Sequence, residues 1–255
     1  MSTLTIISPH QDDAALSLAC CLATWAQMPD VHVRIVNCFT VSSYCPFSPC
    51  DTVAEVSALR SAEDAQFNNV ACGGNLHITN LGLVDSLLRL SETNIDRVLD
   101  DRDLNDRDMR TVARVSDTLA TYVDIGIIFV PLGVGHHIDH RIVARACTLL
   151  QIPQDRLLFY LDVPYWLRMK PADVRRRVTL IQAMVGYPMV PFALCAHSVF
   201  NKSSLIHIYS SQLRETDVSI AVQAPFNGEV LLGIRGTYAH RNLALQEISW
   251  MDLNL

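Results

Sequence analysis

The sequence predicts a Rossmann-like three-layer α/β sandwich with a mostly parallel sheet and an active site at the carboxyl ends of its strands. Three observations carry this. An apolar run at residues 4–7 leads at once into a helix-compatible stretch and then into the alternating run Val31-His32-Val33-Arg34-Ile35-Val36. That β-α-β order favours a right-handed crossover between parallel strands. Second, Ile125-Gly126-Ile127-Ile128-Phe129-Val130 is apolar throughout, as a strand covered on both faces must be. Third, both strands end in loops dense in His and Asp: Ser8-Pro9-His10-Gln11-Asp12-Asp13 and His136-His137-Ile138-Asp139-His140. In a doubly wound sheet such loops open on the same edge, where ligands bind.

Length and composition set the frame. A chain of 255 residues, 50% of them hydrophobic, can build one large core. A single domain over residues 1–255 is expected, with the part after about residue 165 forming a smaller subdomain that walls the pocket. The formal net charge of −6 argues against a nucleic-acid partner, which calls for clustered Lys and Arg. The basic clusters, such as Arg175-Arg176-Arg177, are short and read as solvated helix surface. No apolar run reaches the length of a membrane span. The N-terminus lacks the basic start and small-residue cleavage site of a signal peptide, so a cytoplasmic location is expected. The eight cysteines include no CxxC, which removes support for a zinc ribbon or a thioredoxin-like site. Cys45 and Cys50 bracket Pro46-Phe47-Ser48-Pro49 and could meet in a loop, but buried thiols are expected in a reducing cytosol.

The elements follow in order. Residues 4–7 form a strand, 14–27 a helix and 31–39 a second strand. The loop at 40–51, rich in Pro and Ser, lies at the carboxyl end of that strand and is expected to wall the pocket. Residues 53–70 are helical, Gly73-Gly74 supplies a turn, and 75–79 form a short third strand. Residues 83–90 fit either type. Residues 91–110 are a charged surface excursion with a short helix around 95–99, and 109–123 form a helix ending near Asp124. The strand at 125–130 is stopped by Pro131 and two glycines, and residues 141–150 continue as a helix. A strand at 157–161 leads to Asp162-Val163-Pro164-Tyr165-Trp166, and helices are expected at 171–184 and 203–214. Residues 226–234 and the tail carry no clear pattern.

The two polar loops have complementary chemistry. A catalytic zinc site usually has three protein ligands and one open position. His10, Asp13 and His140 supply such a set and leave Asp12 beside the metal as a general base for a water of lowered pKa. The resulting nucleophile suits an amide or ester carbonyl. His137 is placed to stabilise the oxyanion, with the Asp139 carboxylate fixing its tautomer and keeping it protonated. Each cluster alone has a plainer explanation, a helix cap for the aspartates and a surface loop for the histidines. Their equivalent places on one sheet edge favour a shared site.

Pro9-His10-Gln11-Asp12-Asp13 and His137-Ile138-Asp139-His140 resemble the two signature motifs of the PIG-L/LmbE-like family of zinc-dependent N-deacetylases. Leu59-Arg60-Ser61-Ala62-Glu63, Asp162-Val163-Pro164-Tyr165 and Tyr209-Ser210-Ser211-Gln212 resemble further segments of that family, so the likeness runs from Pro9 to Gln212. The resemblance implies a Zn2+ ion, or another divalent metal, on His10, Asp13 and His140. It implies Asp12 as the base, His137 as oxyanion stabiliser or acid, Asp139 as its orienter, and Arg60 as a ligand of substrate hydroxyls. It also implies removal of an acetyl group from an N-acetylated amino sugar of GlcNAc type or its conjugate. Gln11 and Ala14 depart from residues common in the family without removing a ligand, and Gly135 stands where some sugar deacetylases carry Tyr. Two other readings fit the residues: deacylation of a non-sugar N-acyl amine, and phosphoester hydrolysis, for which only Arg141 lies nearby as a clamp. A metal-stabilised binding domain without catalysis is a third, which the spare carboxylate of Asp12 argues against. Trp166 and Trp250 offer either a sugar-stacking surface or core packing. The expected partner is a small N-acetylated molecule, and the pattern leaves open whether the chain forms a homo-oligomer.

Overall fold

The computed structural model describes residues 2–92, 94, 96, 98–99, 103–123, 125–194, 201–236, 243 and 245–255. Among these, eight strands form one sheet in the order β3-β2-β1-β4-β5-β7-β6-β8. The strands are β1 (Ser2–Ser8), β2 (Val31–Val41), β3 (Leu76–Val84), β4 (Ile127–Pro131), β5 (Leu157–Tyr160), β6 (Val190–Leu194), β7 (Leu231–Gly233) and β8 (Leu245–Glu247). The helices are α1 (Asp13–Trp25), α2 (Val53–Cys72), α3 (Ser86–Leu90), α4 (Asp106–Leu119), α5 (Ile138–Leu149), α6 (Tyr165–Arg168), α7 (Pro171–Val185), α8 (Lys202–Ile206) and α9 (Glu215–Gln223). The expected mixed α/β architecture is therefore present, and it is not a closed barrel.

Strands β3 to β5 pair in parallel, while β7, β6 and β8 add to that sheet in antiparallel fashion. From β1 the chain crosses outward to β2, and from its neighbour β4 it crosses the other way to β5. The crevice between the carboxyl ends of β1 and β4 is thus the topological switch point of the sheet. Both His/Asp loops emerge there.

The central strands are apolar because both faces are covered. Leu4, Ile6 and Ile7 of β1 and Ile127 to Val130 of β4 are fully buried. Helix α1 has almost no exposed side, and its small residues Ala14, Ala15, Ala19 and Ala23 let it lie close to the sheet. It breaks at Leu18 (φ −140, ψ 23), which frees backbone amides inside the helix. The Glu229 carboxylate accepts two of them, Cys20 N–H at 2.9 Å and Cys21 N–H at 3.0 Å, and pairs with the buried Lys202 at 3.3 Å. The C-terminal region is stapled in this way to the helix that begins at the site.

Several boundaries differ from those expected. Strand β3 runs on to Val84, and the ambiguous stretch after it splits into a strand end and α3. The helix expected at 203–214 is α8 followed by a 3-10 turn at His207–Tyr209. Helix α5 starts at Ile138, so His140 stands within its first turn. The short helix around 95–99, the helix end near Asp124 and the eighth cysteine, Cys195, fall wholly or partly outside the described residues. The described cysteines are free thiols; Cys45 donates from Sγ to the Cys50 carbonyl at 3.2 Å. Trp166 is core, 4% exposed.

Candidate active site

The loop after β1 is held by its own polar atoms. Ser8 Oγ donates to the His10 carbonyl at 2.5 Å and accepts Ala14 N–H at 3.1 Å, which tightens the turn into α1. That turn brings His10 Nδ1 to 3.0 Å from Asp13 Oδ2, while His10 N–H donates to the same oxygen at 2.9 Å. From the first turn of α5, His140 Nε2 approaches Asp13 Oδ2 at 3.2 Å. A tetrahedral ion with ligands at its usual bond lengths spaces them by roughly 3.3 Å, so these separations are close to those a zinc ion would set. His140 Nε2 is buried and makes no hydrogen bond.

Each imidazole is also fixed from behind. His10 Nε2 donates to Asp139 Oδ2 at 3.1 Å, and His140 Nδ1 donates to Asp162 Oδ1 at 2.7 Å. The far nitrogen of each ring is thus held by a carboxylate, and the nitrogen facing Asp13 is the one a metal would take, the orientation that carboxylate partners impose on metal-ligating histidines. Asp162, at the end of β5, is itself held by Gly133 N–H at 2.9 Å and Val134 N–H at 3.1 Å.

A second triad, His10, His137 and Asp139, is also close enough to chelate. It fits a cation less well. Asp139 Oδ2 already accepts Ser86 N–H at 2.8 Å, and Oδ1 lies 2.7 Å from Arg89, whose charge opposes a divalent ion there. Arg89 is braced over the Phe39 ring at 4.7 Å.

The charge pattern follows from burial and these partners. Burial lowers the His10 pKa, but bonds to Asp13 and Asp139 outweigh it and raise it to about 9. Burial likewise opposes charge on His140, yet Asp13 and Asp162 carry it up to about 10. Burial would lift Asp13, but His140 and His10 hold it well below the usual carboxylate range. For Asp139, Arg89 and His10 overcome burial in the same direction. Protons on the two imidazoles balance the carboxylates.

Asp12 differs. Burial raises its pKa even though Arg60 Nη2 donates to its Oδ1 at 3.0 Å. Arg60 is itself buried, with Nη1 donating to Ser42 Oγ at 3.2 Å, and Ser42 donates to Asp85 at 2.6 Å. The neighbouring acids on α2 are engaged elsewhere. Glu63 accepts Ser211 N–H, Ser211 Oγ–H and Gln212 Nε2–H, and Asp64 accepts from Tyr209 and Asn37. The segments 59–63 and 209–212 thus dock on each other, which brings Gln212 to the cleft.

The Asp139 carboxylate was expected to orient His137. It turns instead to His10, Ser86 and Arg89, because the first turn of α5 points it under the His10 ring. It is the Asp139 backbone N–H that donates to His137 Nδ1, at 3.2 Å. Burial, His10 and His140 push the His137 pKa well below its ordinary value, so the ring is neutral rather than protonated, with its hydrogen on Nε2.

Two cavities meet over these residues. One of about 60 Å³ touches His10, Asp12, Asp13, Arg60 and His137. The other, about 260 Å³, shares Asp12, Asp13, Tyr44, Tyr165 and Gln212 with it and extends past Phe47 to Arg214. Tyr165 fills the space that a side chain at position 135 would need: a Cβ on Gly135 (φ +96) would lie 2.1 Å from Tyr165 Cβ. Its ring stands edge-on to His140 at 4.9 Å and 6.0 Å from His137. Asp162, Tyr165, Arg89 and Ser86 join the site without a role expected from the sequence. A carboxylate at the carboxyl end of the strand beside β4 was the available signal for Asp162.

The family model for PIG-L, the GlcNAc-PI de-N-acetylases, matches residues 5–150. The chain belongs to the PIG-L family. Its fold is shared with several solved deacetylases. The pseudoaglycone deacetylase Dbv21 superposes with a TM-score of 0.64 at 18% identity, covering 92% of this chain and 97% of that one. The zinc-inhibited form of teicoplanin deacetylase Orf2 gives 0.59 at 20% identity, covering 98% and 100%. N,N'-diacetylchitobiose deacetylase from Pyrococcus horikoshii gives 0.53 at 12% identity, covering 97% and 84%. No curated protein sequence matches this chain. Among the described residues, no helix is long and apolar enough to cross a membrane.

Proposed function

We propose that this PIG-L family member is a divalent-metal-dependent N-deacetylase that hydrolyses the acetamide of an amino sugar or amino-sugar conjugate. The observation that carries the reading is the placement of Asp12, a half-buried carboxylate of raised pKa, beside a closed His10–Asp13–His140 cradle at the floor of a cleft. His10, Asp13 and His140 would hold the metal, with Zn2+ the first choice for a nitrogen and carboxylate set of this geometry. Bound there, the metal would lower the pKa of a water and polarise the acetyl carbonyl.

The chain's own groups supply the rest. Arg60 fixes Asp12 through Oδ1, which leaves Oδ2 to take a proton from the attacking water. Neutral His137 offers Nε2–H to the oxygen on which negative charge develops. The water oxygen forms the new bond to carbon, the C–N bond breaks, and the proton held by Asp12 passes to the leaving nitrogen. Acetate and a free amine result. The inner cavity would take the acetyl group, and the outer one the sugar and what it is joined to, against Tyr44, Phe47 and Tyr165. Teicoplanin deacetylase and diacetylchitobiose deacetylase share this fold, which supports a saccharide-bearing substrate over a simple N-acyl amine.

Asp12→Asn tests the assignment. Amine release should fall by about 10²–10⁴-fold while metal affinity is kept. The assay is amine release from N-acetylglucosamine, its glycoconjugates and non-sugar acetamides. Retained turnover in the variant would remove Asp12 as base, and turnover of only the non-sugar amides would remove the sugar.

A further inference from the structure

A third cavity, about 200 Å³, shares no lining residue with the two at the metal cradle. Its walls are the 133–136 loop between β4 and His137, the start of α5, and α7, with Met169 and Leu180 at its apolar side. Arg177 of α7 reaches under this loop. Its Nε donates to the Leu132 carbonyl at 2.9 Å. Its Nη2 is buried against Gly133, where a Cβ would lie 2.6 Å away, and makes no hydrogen bond. No carboxylate of the described residues forms an ion pair with Arg177; Asp173, the nearest acid on its helix, is paired with Arg176 at 2.6 Å.

A guanidinium nitrogen buried with no hydrogen-bond or ion-pair partner is costly, and native proteins seldom leave one so. An unsatisfied buried group of this kind calls for an explanation, of which an absent ion is one. The charged lining is Arg141, Arg176 and Arg177 with Asp103 and Asp173, a net excess of positive charge. Burial and the nearby Arg141 push the Arg177 pKa down to about 10, against the pull of Asp162. A bound anion would relieve that pressure.

We propose that this cavity is a binding site for a small oxyanion, a phosphate or carboxylate group, with Arg177 as its principal ligand and Arg141 and Arg176 beside it. The planar guanidinium fork matches such groups. The volume lies below the roughly 300 Å³ at which drug-sized ligands begin, so the occupant is a compact anion or the anionic end of a larger molecule. The same loop donates Gly133 N–H and Val134 N–H to Asp162, which orients His140. Occupancy therefore steadies a loop that holds the catalytic cradle.

The test reads binding, not deacetylation, and so stands or falls apart from the proposed reaction. The purified protein is titrated with inorganic phosphate and, separately, with acetate, at constant ionic strength set by sodium chloride, and followed by calorimetry and melting temperature. The wild type should bind one of the two saturably, and whichever binds identifies the group as phosphate or carboxylate. Arg177→Met should weaken that binding at least tenfold. Leu180 is 45% exposed, so Leu180→Glu keeps the fold while placing a carboxylate at the cavity rim, and it should weaken binding to a similar extent. If Arg177→Met does not fold, Leu180→Glu decides alone. Absence of saturable binding with both anions would overturn the proposal. So would binding unchanged in the variants, which would place the anion at the metal cradle.

Discussion

Asp162→Asn is the sharpest probe of the cradle, because it changes one atom at a residue that touches no substrate cavity. The carboxylate accepts three hydrogen bonds: His140 Nδ1–H at 2.7 Å on Oδ1, and the Gly133 and Val134 amides at 2.9 and 3.1 Å on Oδ2. An asparagine cannot reproduce all three. If its oxygen stays with the two amides, its NH2 faces His140 and forces the ring to accept at Nδ1. The ring proton then sits on Nε2, which can no longer ligate. If it flips, NH2 faces two N–H groups, and two buried amides are left unsatisfied at about 1–3 kcal/mol each. Loss of a carboxylate behind a ligating histidine commonly weakens metal binding 10–100-fold, or about 1.4–2.8 kcal/mol at the usual conversion. Zinc affinity measured against a chromogenic chelator should fall by at least tenfold in Asp162→Asn, while far-ultraviolet circular dichroism stays native. An affinity within threefold of wild type in a folded variant would refute the assignment of His140 Nε2 as a ligand.

Two further predictions concern stability. Burial holds Asp64 protonated up to about pH 8 in the fold, against about 4 unfolded, despite bonds from Tyr209 and Asn37. Its contribution to stability is complete below the unfolded pKa and is lost as pH rises through the folded one. Between pH 4 and 7 the wild type should lose about 4 kcal/mol relative to Asp64→Asn, from about 1.4 kcal/mol per pH unit, and parallel pH profiles in urea unfolding would contradict this. Glu229→Gln removes the charge opposite buried Lys202 and weakens the cap on the broken α1. It should cost about 3–5 kcal/mol, and a loss under 1 kcal/mol in the same measurement would show the staple to be dispensable.

How much of this was legible in the sequence follows from what each element is made of. β1 and β4 declared themselves because a strand covered on both faces must be apolar, and their polar loops stood out by contrast. The start of α5 was hidden by its own composition. Its first turn is Ile138, Asp139 and His140, so two of its three residues are polar and show no apolar period. β6 to β8 are three to five residues long and antiparallel, too short to show alternation. The Asp139 carboxylate was assigned to a neighbour two residues away, whereas its imidazole partner is His10, across 129 positions of chain. Local spacing could show that an acid was present, but only the β1–β4 pairing decides which ring it meets.

The aspartates of the site can be sorted by what neutralises them. Asp12 has Arg60, and Asp139 has Arg89. Asp162 has two amides and the His140 ring, and Asp85 is held by Ser42 and by Leu88 N–H. Asp13 differs from these: beyond the His10 amide, its described partners are the imidazoles of His10 and His140. Those rings are turned by Asp139 and Asp162 to present their basic nitrogens. They neutralise Asp13 only by carrying protons, and such protons are what a divalent cation displaces on binding. Each arginine thus removes one carboxylate from competition and leaves one point in the crevice where negative charge and two lone pairs converge. Arg60 fixes Asp12 in the place proposed for the base and apart from the proposed ligands. Arg89 keeps Asp139 behind His10 rather than beside it. In this arrangement the positive side chains, as much as the His and Asp motifs, determine where the proposed metal can sit.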